Sequence, residues 1–173
     1  MNKRLKHAGI FGQTESGKSF LGQQMALGFK KRGIPRLVCD PFMCPNWDAT
    51  FITPDIMELV KIAKDARGCA IFVDEAGQTI GNNPPKEVEW LTTGSRHWGH
   101  VIRLLGQRGK QMVSKTMRDQ LSEIYLFNVN VEDAEDWAKC FNEPILANAH
   151  ELKPHWFFYK RRHEPVVKTT LRV

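Results

Sequence analysis

The sequence predicts an α/β fold with a mainly parallel central sheet flanked by helices and a C-terminal β-hairpin. Two observations favour this class: short apolar runs alternate with longer amphipathic segments, and the run at residues 69–73 is continuously apolar. Such a run is typical of a central parallel strand that is covered on both faces. The chain has 173 residues and no linker-like stretch, so a single domain over residues 1–173 is expected.

Seven runs are predicted to be strands, because each is short, apolar and bounded by turn-forming residues. They are Ala8–Phe11, Arg36–Cys39 and residues 69–73, 100–105, 124–129, 155–159 and 166–171. The last two are predicted to pair as a hairpin across a basic turn at residues 160–163. The aromatic run 156–159 beside this turn fits either stacking on nucleic acid or a core strand that ends in a solvated turn.

Four segments are predicted to be helical from apolar residues at helical spacing and from start and stop signals. The first covers residues 17–32 and the second starts at Thr53-Pro54, with Thr53 as its N-cap and Pro54 as its first residue. The third is part of residues 110–122. The fourth runs from the N-cap Asn130 to about Phe141.

Composition narrows the function classes. The net charge of +6 and the pI near 9.3 fit a polyanionic partner such as nucleic acid, or a surface that is simply basic. The four cysteines form no Cys-x-x-Cys pair, which argues against a zinc ribbon. No apolar run reaches the length of a membrane span or a signal peptide, so a soluble intracellular protein is expected.

One motif predicts a nucleotide site. It matches G-x-x-x-x-G-K-[ST] in full, after a predicted strand and before a predicted helix, as a phosphate-binding loop requires. Its backbone N–H groups and the helix N-terminus are expected to bind the phosphates of ATP. Lys18 is expected to reach the β- and γ-phosphates, and Ser19 to ligate Mg²⁺. The motif consists of Gly12, Gln13, Thr14, Glu15, Ser16, Gly17, Lys18 and Ser19.

An acidic pair, Asp74 and Glu75, directly follows the most apolar strand. In a parallel sheet this position is the carboxyl edge, where ligands bind. Asp74 is expected to hold Mg²⁺, and Glu75 to act as the base that activates water against the γ-phosphate. An adjacent glutamate aimed at water favours a hydrolase over a small-molecule kinase, which excludes water under a lid.

The order of these motifs over about residues 8–131 resembles the FtsK–HerA group of P-loop ATPases. Within that group it is most similar to the genome-packaging ATPases of viruses with membrane-lined or jelly-roll capsids. In that family the acidic strand is followed by a helix ending in an arginine, a glycine, and a strand ending in a sensor glutamine. Arg96, Gly99 and Gln107 match that order, and Asp40 matches an aspartate that follows the family's second strand.

The resemblance implies a RecA/ASCE-like P-loop NTPase that works as a pentameric or hexameric ring of identical subunits. Arg96 would be an arginine finger that reaches the neighbouring subunit's nucleotide, and Gln107 would sense the γ-phosphate. The implied cofactors are ATP and Mg²⁺. DNA is the implied partner, with a capsid vertex or membrane protein as a further one, in the host cytoplasm or on the virion.

Two segments are candidates for gripping DNA, because both leave the catalytic edge of the predicted sheet. One covers residues 77–86, and the other, at residues 108–115, carries more positive charge. Contacts to the DNA backbone require such cations and backbone N–H groups. The preferred contact residues are Arg108, Lys110 and Lys115.

Two other functions fit part of the pattern. A thymidine-kinase-type deoxynucleoside kinase shares the phosphate loop and an Asp-Glu-Ala sequence like residues 74–76, but such enzymes usually carry the zinc ribbon that this sequence lacks. A soluble assembly or secretion ATPase that never moves DNA is the other alternative.

Overall fold

A computed structural model describes residues 6–107 and 113–171. The described strands are β1 (Ala8–Phe11), β2 (Arg36–Cys39), β3 (Phe51–Thr53), β4 (Ala70–Val73), β5 (Val101–Gly106), β6 (Glu123–Leu126), β7 (Trp156–Arg161) and β8 (Val167–Thr170). They form one sheet in the order β3-β2-β4-β5-β1-β6-β7-β8. The pairings from β3 to β6 are parallel, whereas β7 and β8 run antiparallel at the far edge. The predicted α/β class with a mainly parallel sheet is confirmed.

The helices connect these strands. They are α1 (Lys18–Lys30), α2 (Ile56–Asp65), α3 (Ala76–Thr79), α4 (Lys86–Thr93), α5 (Lys115–Asp119) and α6 (Val131–Phe141). Two 3₁₀ helices, Ser95–Trp98 and Pro144–Glu151, lie before β5 and before β7. In the part of the chain that the structure describes, no helix is long and apolar enough to cross a bilayer.

Two cores cover the two faces of the sheet. On one face α2, α4, α5 and α6 contribute buried side chains such as Leu59, Leu91 and Trp137, and the Trp137 ring stacks on Phe11 with centroids 4.5 Å apart. On the other face α1 packs with Phe29 beside Trp47 from the loop after β2. Because both faces are covered, β4 and β5 are buried along their whole length, which explains the continuously apolar sequence of β4 and the apolar residues on either side of the buried Arg103 in β5.

The structure corrects the start of α2. Thr53 is the last residue of β3, a three-residue strand beside β2 that the sequence did not predict. The N-cap is Asp55, whose side chain accepts a hydrogen bond from the backbone N–H of Met57 at 2.8 Å. Asp55 is as good a cap as threonine, so local sequence alone did not separate the two positions.

The C-terminal hairpin is confirmed, but its turn lies later than predicted. Lys160 and Arg161 belong to β7, where Lys160 pairs with Glu143 at 2.7 Å and Arg161 with Glu123 at 2.8 Å. Phe157 of the aromatic run is buried in the core. These contacts favour the reading of β7 as a core strand over that of a nucleic-acid platform.

Candidate nucleotide-binding site

Three candidate residues meet at the carboxyl edge of the sheet. Gly12 follows β1, Asp74 follows β4 and Gln107 follows β5, and these three strands are neighbours with β5 in the middle. Carboxyl ends of parallel strands are the usual ligand edge of an α/β sheet. The topology therefore brings the phosphate loop, the acidic pair and the candidate sensor to one place.

The phosphate loop is held by neighbouring strand ends and by tight packing. The backbone N–H of Gly12 donates to the Gly106 carbonyl at 3.1 Å, and that of Gln13 donates to the Asn128 carbonyl at 2.8 Å. A Cβ on Gly12 would lie only 2.6 Å from Cβ of Phe127. Gly17 has φ +102°, which a side chain rarely allows, and a Cβ there would collide with Leu171. Both glycines are thus required by the fold of the loop.

Lys18 is buried at the first turn of α1. Its side chain is 6% exposed, and Nζ donates to the Gln13 carbonyl at 2.8 Å. Burial lowers the pKa of Lys18, whereas the nearby carboxylates of Glu75 and Asp74 raise it. A buried cation therefore contacts the loop backbone and lies within electrostatic reach of the acidic pair. Among the other loop residues Ser19 is exposed, and the buried Oγ of Ser16 has no partner among the described residues.

Asp74 occupies an environment that opposes its charge. Its Oδ1 accepts from the Glu75 backbone N–H at 2.9 Å, which favours the charged form. Burial outweighs this bond and raises the pKa of Asp74 to about 6, with further contributions from the carboxylates of Asp40 and Glu75. A positive partner at this carboxylate would relieve the cost.

Glu75 has a left-handed backbone with φ +43° at the start of α3. Such a conformation is strained for a residue with a side chain, and strain of this kind clusters at functional sites. Thr79 stabilises the turn, because its hydroxyl donates to the Asp74 carbonyl at 2.9 Å and to the Glu75 carbonyl at 3.1 Å. The turn presents the half-buried Glu75 side chain at the same edge as Lys18.

The oxygen donors at this edge fit Mg²⁺ that arrives with a nucleotide. The described residues contain no cluster of three or more His, Cys, Asp or Glu that could hold a metal ion unaided. Mg²⁺ usually binds through one or two protein oxygens, with phosphates and water completing the shell. The exposed hydroxyl of Ser19 and the electrostatically strained carboxylate of Asp74 match that donor set.

Asp40, directly after β2, stabilises the loop beside the acidic pair. Its carboxylate accepts from the backbone N–H groups of Phe42 and Cys44, both at 2.9 Å, and the residue is 1% exposed. The side chain therefore holds the loop after β2, and its charge acts on Asp74.

Gln107 lines a cleft of about 430 Å³ together with Gln13, Thr14, Asn130 and Asp133. The cleft opens beside the start of the phosphate loop, so Gln107 and the loop residues Gln13 and Thr14 face the same space.

Arg96 is not brought to the phosphate loop of its own chain. It lies in the 3₁₀ helix before β5, at the amino ends of the strands, so the sheet separates it from the carboxyl edge. The side chain is exposed, and Nη2 donates to Oε1 of Gln120 at 3.3 Å.

The two candidate DNA segments meet each other at the carboxyl edge. Gly81 of the first forms a parallel bridge with Val113 of the second. Lys86 and Lys115 are both exposed. Arg108 and Lys110 lie outside the described residues.

Sequence reasoning missed Asn128. Its amide group donates to the carbonyls of His150 and Leu152, at 2.8 and 2.9 Å, while its backbone carbonyl accepts from Gln13. It thereby joins the phosphate loop to the segment before β7. The sequence placed Asn128 inside the predicted strand 124–129, whereas the structure ends β6 at Leu126, so no signal in the sequence marked this residue.

No protein-family model matches this sequence, and neither does any curated protein. Solved structures do match. The genome packaging NTPase B204 from Sulfolobus turreted icosahedral virus 2, in complex with AMPPCP, superposes with a TM-score of 0.80, 16% identity and coverage of 97% of this chain and 98% of that chain. The pCW3 conjugation coupling protein TcpA, with ATPγS, has a TM-score of 0.74, 12% identity and coverage of 98% and 61%.

VirB4 of Thermoanaerobacter pseudethanolicus gives a TM-score of 0.71 at 9% identity, with coverage of 96% and 89%. At such identities these likenesses establish the fold alone. They do not establish the function, because one fold can host many functions. The chain has the P-loop ATPase fold that these three proteins share. The resemblance to FtsK–HerA-type packaging ATPases is confirmed at that level.

Proposed function

We propose that this chain hydrolyses ATP and uses the reaction to move DNA, as a viral genome-packaging ATPase that works in a ring of identical subunits. One observation carries the hydrolase assignment. The buried Lys18 cation lies within electrostatic reach of both Asp74 and Glu75 at the carboxyl edge, inside a complete phosphate-loop motif. The fold shared with ATP-analogue-bound packaging and conjugation proteins supports the same assignment.

The residues divide the work of phosphoryl transfer. Backbone N–H groups of the loop and Lys18 bind the phosphates and neutralise charge that develops on them. Ser19 and Asp74 would hold Mg²⁺, which would neutralise negative charge on the phosphates. Glu75 orients a water molecule and accepts its proton as the water oxygen bonds to the γ-phosphorus. The bond from that phosphorus to the bridging oxygen breaks, and ADP and phosphate form.

Arg96 and Gln107 are assigned to coupling. Arg96 is exposed at the edge of the sheet remote from its own phosphate loop, which supports a role at a neighbouring subunit's nucleotide. A guanidinium supplied in this way is worth about 10³–10⁵ in rate. Gln107, beside the loop, responds to the loss of the γ-phosphate. Its change of position is transmitted to the segment that follows β5.

That segment and the one after α3 are assigned to DNA. The exposed Lys115 begins α5, and Gly81 and Val113 join the two segments, so a shift after β5 also moves the segment after α3. Arg108 and Lys110 complete the proposed basic contact. Contacts of this kind bind the DNA backbone without reading bases, and their affinity falls steeply with salt.

The test is steady-state ATP hydrolysis by the purified chain, with and without long DNA. DNA should raise the rate, and dilution should lower it, because sites at subunit interfaces are lost. Glu75→Gln should remove hydrolysis and spare ATP binding. Hydrolysis that long DNA leaves unchanged would overturn the translocase assignment while leaving the ATPase intact. Unchanged hydrolysis in Glu75→Gln would overturn the base.

A further inference from the structure

A second cleft opens beside the phosphate loop, on the β6 side of β1, away from the acidic pair on β4. Its volume of about 560 Å³ is within the range of small-molecule sites. Leu152, Pro154 and His155 form one wall, and Asn128 and loop residues 13–16 form the rest. The phosphates of a nucleotide occupy such a loop, so the remainder of the molecule must extend into adjoining space.

The wall is fixed to the sheet at both ends. Asn128 holds the carbonyls of His150 and Leu152 with its amide group. At the other end the carbonyl of His155 accepts from the backbone N–H of Leu171 at 3.0 Å and from the hydroxyl of Thr170 at 3.2 Å. A wall with these ties is preorganised, so a ligand would not have to order it.

The imidazole of His155 lies over the start of α1. A Cβ on Gly17 would be 3.4 Å from its Nδ1, yet the residue is exposed toward the cleft. Its backbone has φ +65°, a conformation uncommon for residues with a side chain, although asparagine, aspartate and histidine adopt it more often than the others. The hairpin therefore places an accessible aromatic ring next to the phosphate loop.

We infer that this cleft takes the base and ribose of a nucleoside triphosphate, that His155 stacks on the base, and that the site accepts adenine and guanine alike. The inference rests on the proposed nucleotide site and extends it to the class of substrate. Stacking on an imidazole does not depend on the identity of the base, because every base has a π-face.

The polar groups of the cleft explain the absence of discrimination. Both amide hydrogens of Asn128 are engaged by carbonyls, and Leu152 and Pro154 have apolar side chains. The exposed Glu15 offers only acceptors, which the exocyclic amino groups of adenine and guanine both satisfy. Strong selection of one base requires buried groups that only that base can pair. Among the described lining side chains, the one buried polar atom without a partner is the Ser16 hydroxyl, which belongs to the phosphate loop, whereas Gln13, Thr14 and Glu15 are exposed.

Calorimetric binding of ADP, GDP and inorganic pyrophosphate to the full chain tests this. ADP and GDP should bind within about fivefold of each other, and both more tightly than pyrophosphate. His155→Asn, which keeps a residue suited to positive φ but removes the ring, should weaken both nucleotides by about tenfold and leave pyrophosphate unchanged. The matched control is His163→Asn, because His163 is an exposed histidine with φ +66° in the β7–β8 turn, away from the cleft. It should change none of the three affinities.

The outcomes separate this inference from the proposed function. Equal affinities of the wild type for ADP and pyrophosphate, or an unchanged ADP affinity in His155→Asn, would overturn the base cleft and leave the phosphate site standing. A preference for ADP over GDP above about fiftyfold would overturn the shared substrate class. If none of the three probes binds, and Lys18→Ala behaves like the wild type, the proposed nucleotide site itself is wrong.

Discussion

At the scale of single residues, the charged form of Asp74 that the proposed chemistry needs lowers the stability of the fold. Its folded-state pKa of about 6 lies above the ordinary 3.8, so the folded protein resists its ionisation. Above about pH 6 the charge therefore destabilises the fold, by at most about 3 kcal/mol. A bound cation would remove this cost, which ties the carboxylate to its proposed ligand.

Asp74→Asn should stabilise the nucleotide-free protein at pH 7.5 and abolish hydrolysis. The asparagine carbonyl keeps the hydrogen bond from Glu75 but removes the repulsion by Asp40 and Glu75. For a chain of this size we expect a rise of about 3–8 °C in melting temperature without Mg²⁺. Asp65→Asn, at an exposed carboxylate near the end of α2, is the control and should change little. A lower melting temperature in Asp74→Asn would show that Lys18 outweighs the repulsion.

His7 makes the stability of the protein depend on pH in the opposite direction. Its Nδ1 accepts from the Ile102 backbone N–H at 3.1 Å, and burial, followed by the charges of Arg96 and Arg103, lowers its pKa from 6.5 to about 4. Between these values the unfolded chain binds the proton and the folded chain does not. Stability is therefore lost as the pH falls from about 6.5 to 4.

Urea unfolding at pH 7 and at pH 4.5 measures this effect, and His7 should account for a loss of up to about 3 kcal/mol. His7→Asn supplies an acceptor that does not titrate, so the difference between the two pH values should shrink. His163→Asn, at an exposed histidine, should leave it unchanged. An equal pH dependence in His7→Asn and wild type would refute the assignment to His7.

At the scale of elements, the sequence predicted those strands and helices whose signals are local. The apolar run of β4 and the N-cap Asn130 of α6 mark their elements directly, and the structure confirms both. The three-residue β3 was not predictable in this way, because it depends on pairing with β2 across the chain. The hairpin turn was misplaced because the ion pairs of Lys160 and Arg161 with distant acids hold both residues in β7.

In the candidate site, too, the parts with local sequence signals were predicted and the part that depends on long-range contacts was not. The phosphate loop and the acidic pair are contiguous motifs, so the sequence predicted them as units. The role of Asn128 comes from contacts more than twenty residues away, with His150 and Leu152. Long-range hydrogen bonds of one side chain leave no pattern that a single sequence can show.

Asn128→Ala tests this connection between elements. It should leave the two carbonyls of the 150–152 segment without their donor and cost about 1–3 kcal/mol in unfolding free energy. ADP affinity should fall, while pyrophosphate affinity should hold, since the backbone bond to Gln13 remains. The control is Asn148→Ala, at an exposed asparagine of the 3₁₀ helix Pro144–Glu151. It should alter neither the unfolding free energy nor the ADP affinity. Unchanged stability in Asn128→Ala would mean that the wall does not need this tie.

At the scale of the whole molecule, the proposed catalytic groups divide between the two edges of the sheet. Lys18, Asp74 and Glu75 lie at the carboxyl edge, and Arg96 lies before β5 at the amino edge. One chain therefore cannot assemble the proposed site alone, whereas a head-to-tail contact places one edge against the other. Contacts of that type close into rings when the rotation permits.

Mixing two inactive variants tests this arrangement. Lys18→Ala retains the finger but lacks a working phosphate loop, and Arg96→Ala has the reverse defect. In a mixed ring, an Arg96→Ala site can receive the finger of a Lys18→Ala neighbour, so about a quarter of the wild-type ATPase rate should return. Mixing Lys18→Ala with Glu75→Gln is the control: because both changes disable the site that receives the finger, activity should stay absent. If both mixtures are equally inactive at concentrations where the wild type turns over, Arg96 is not supplied between subunits.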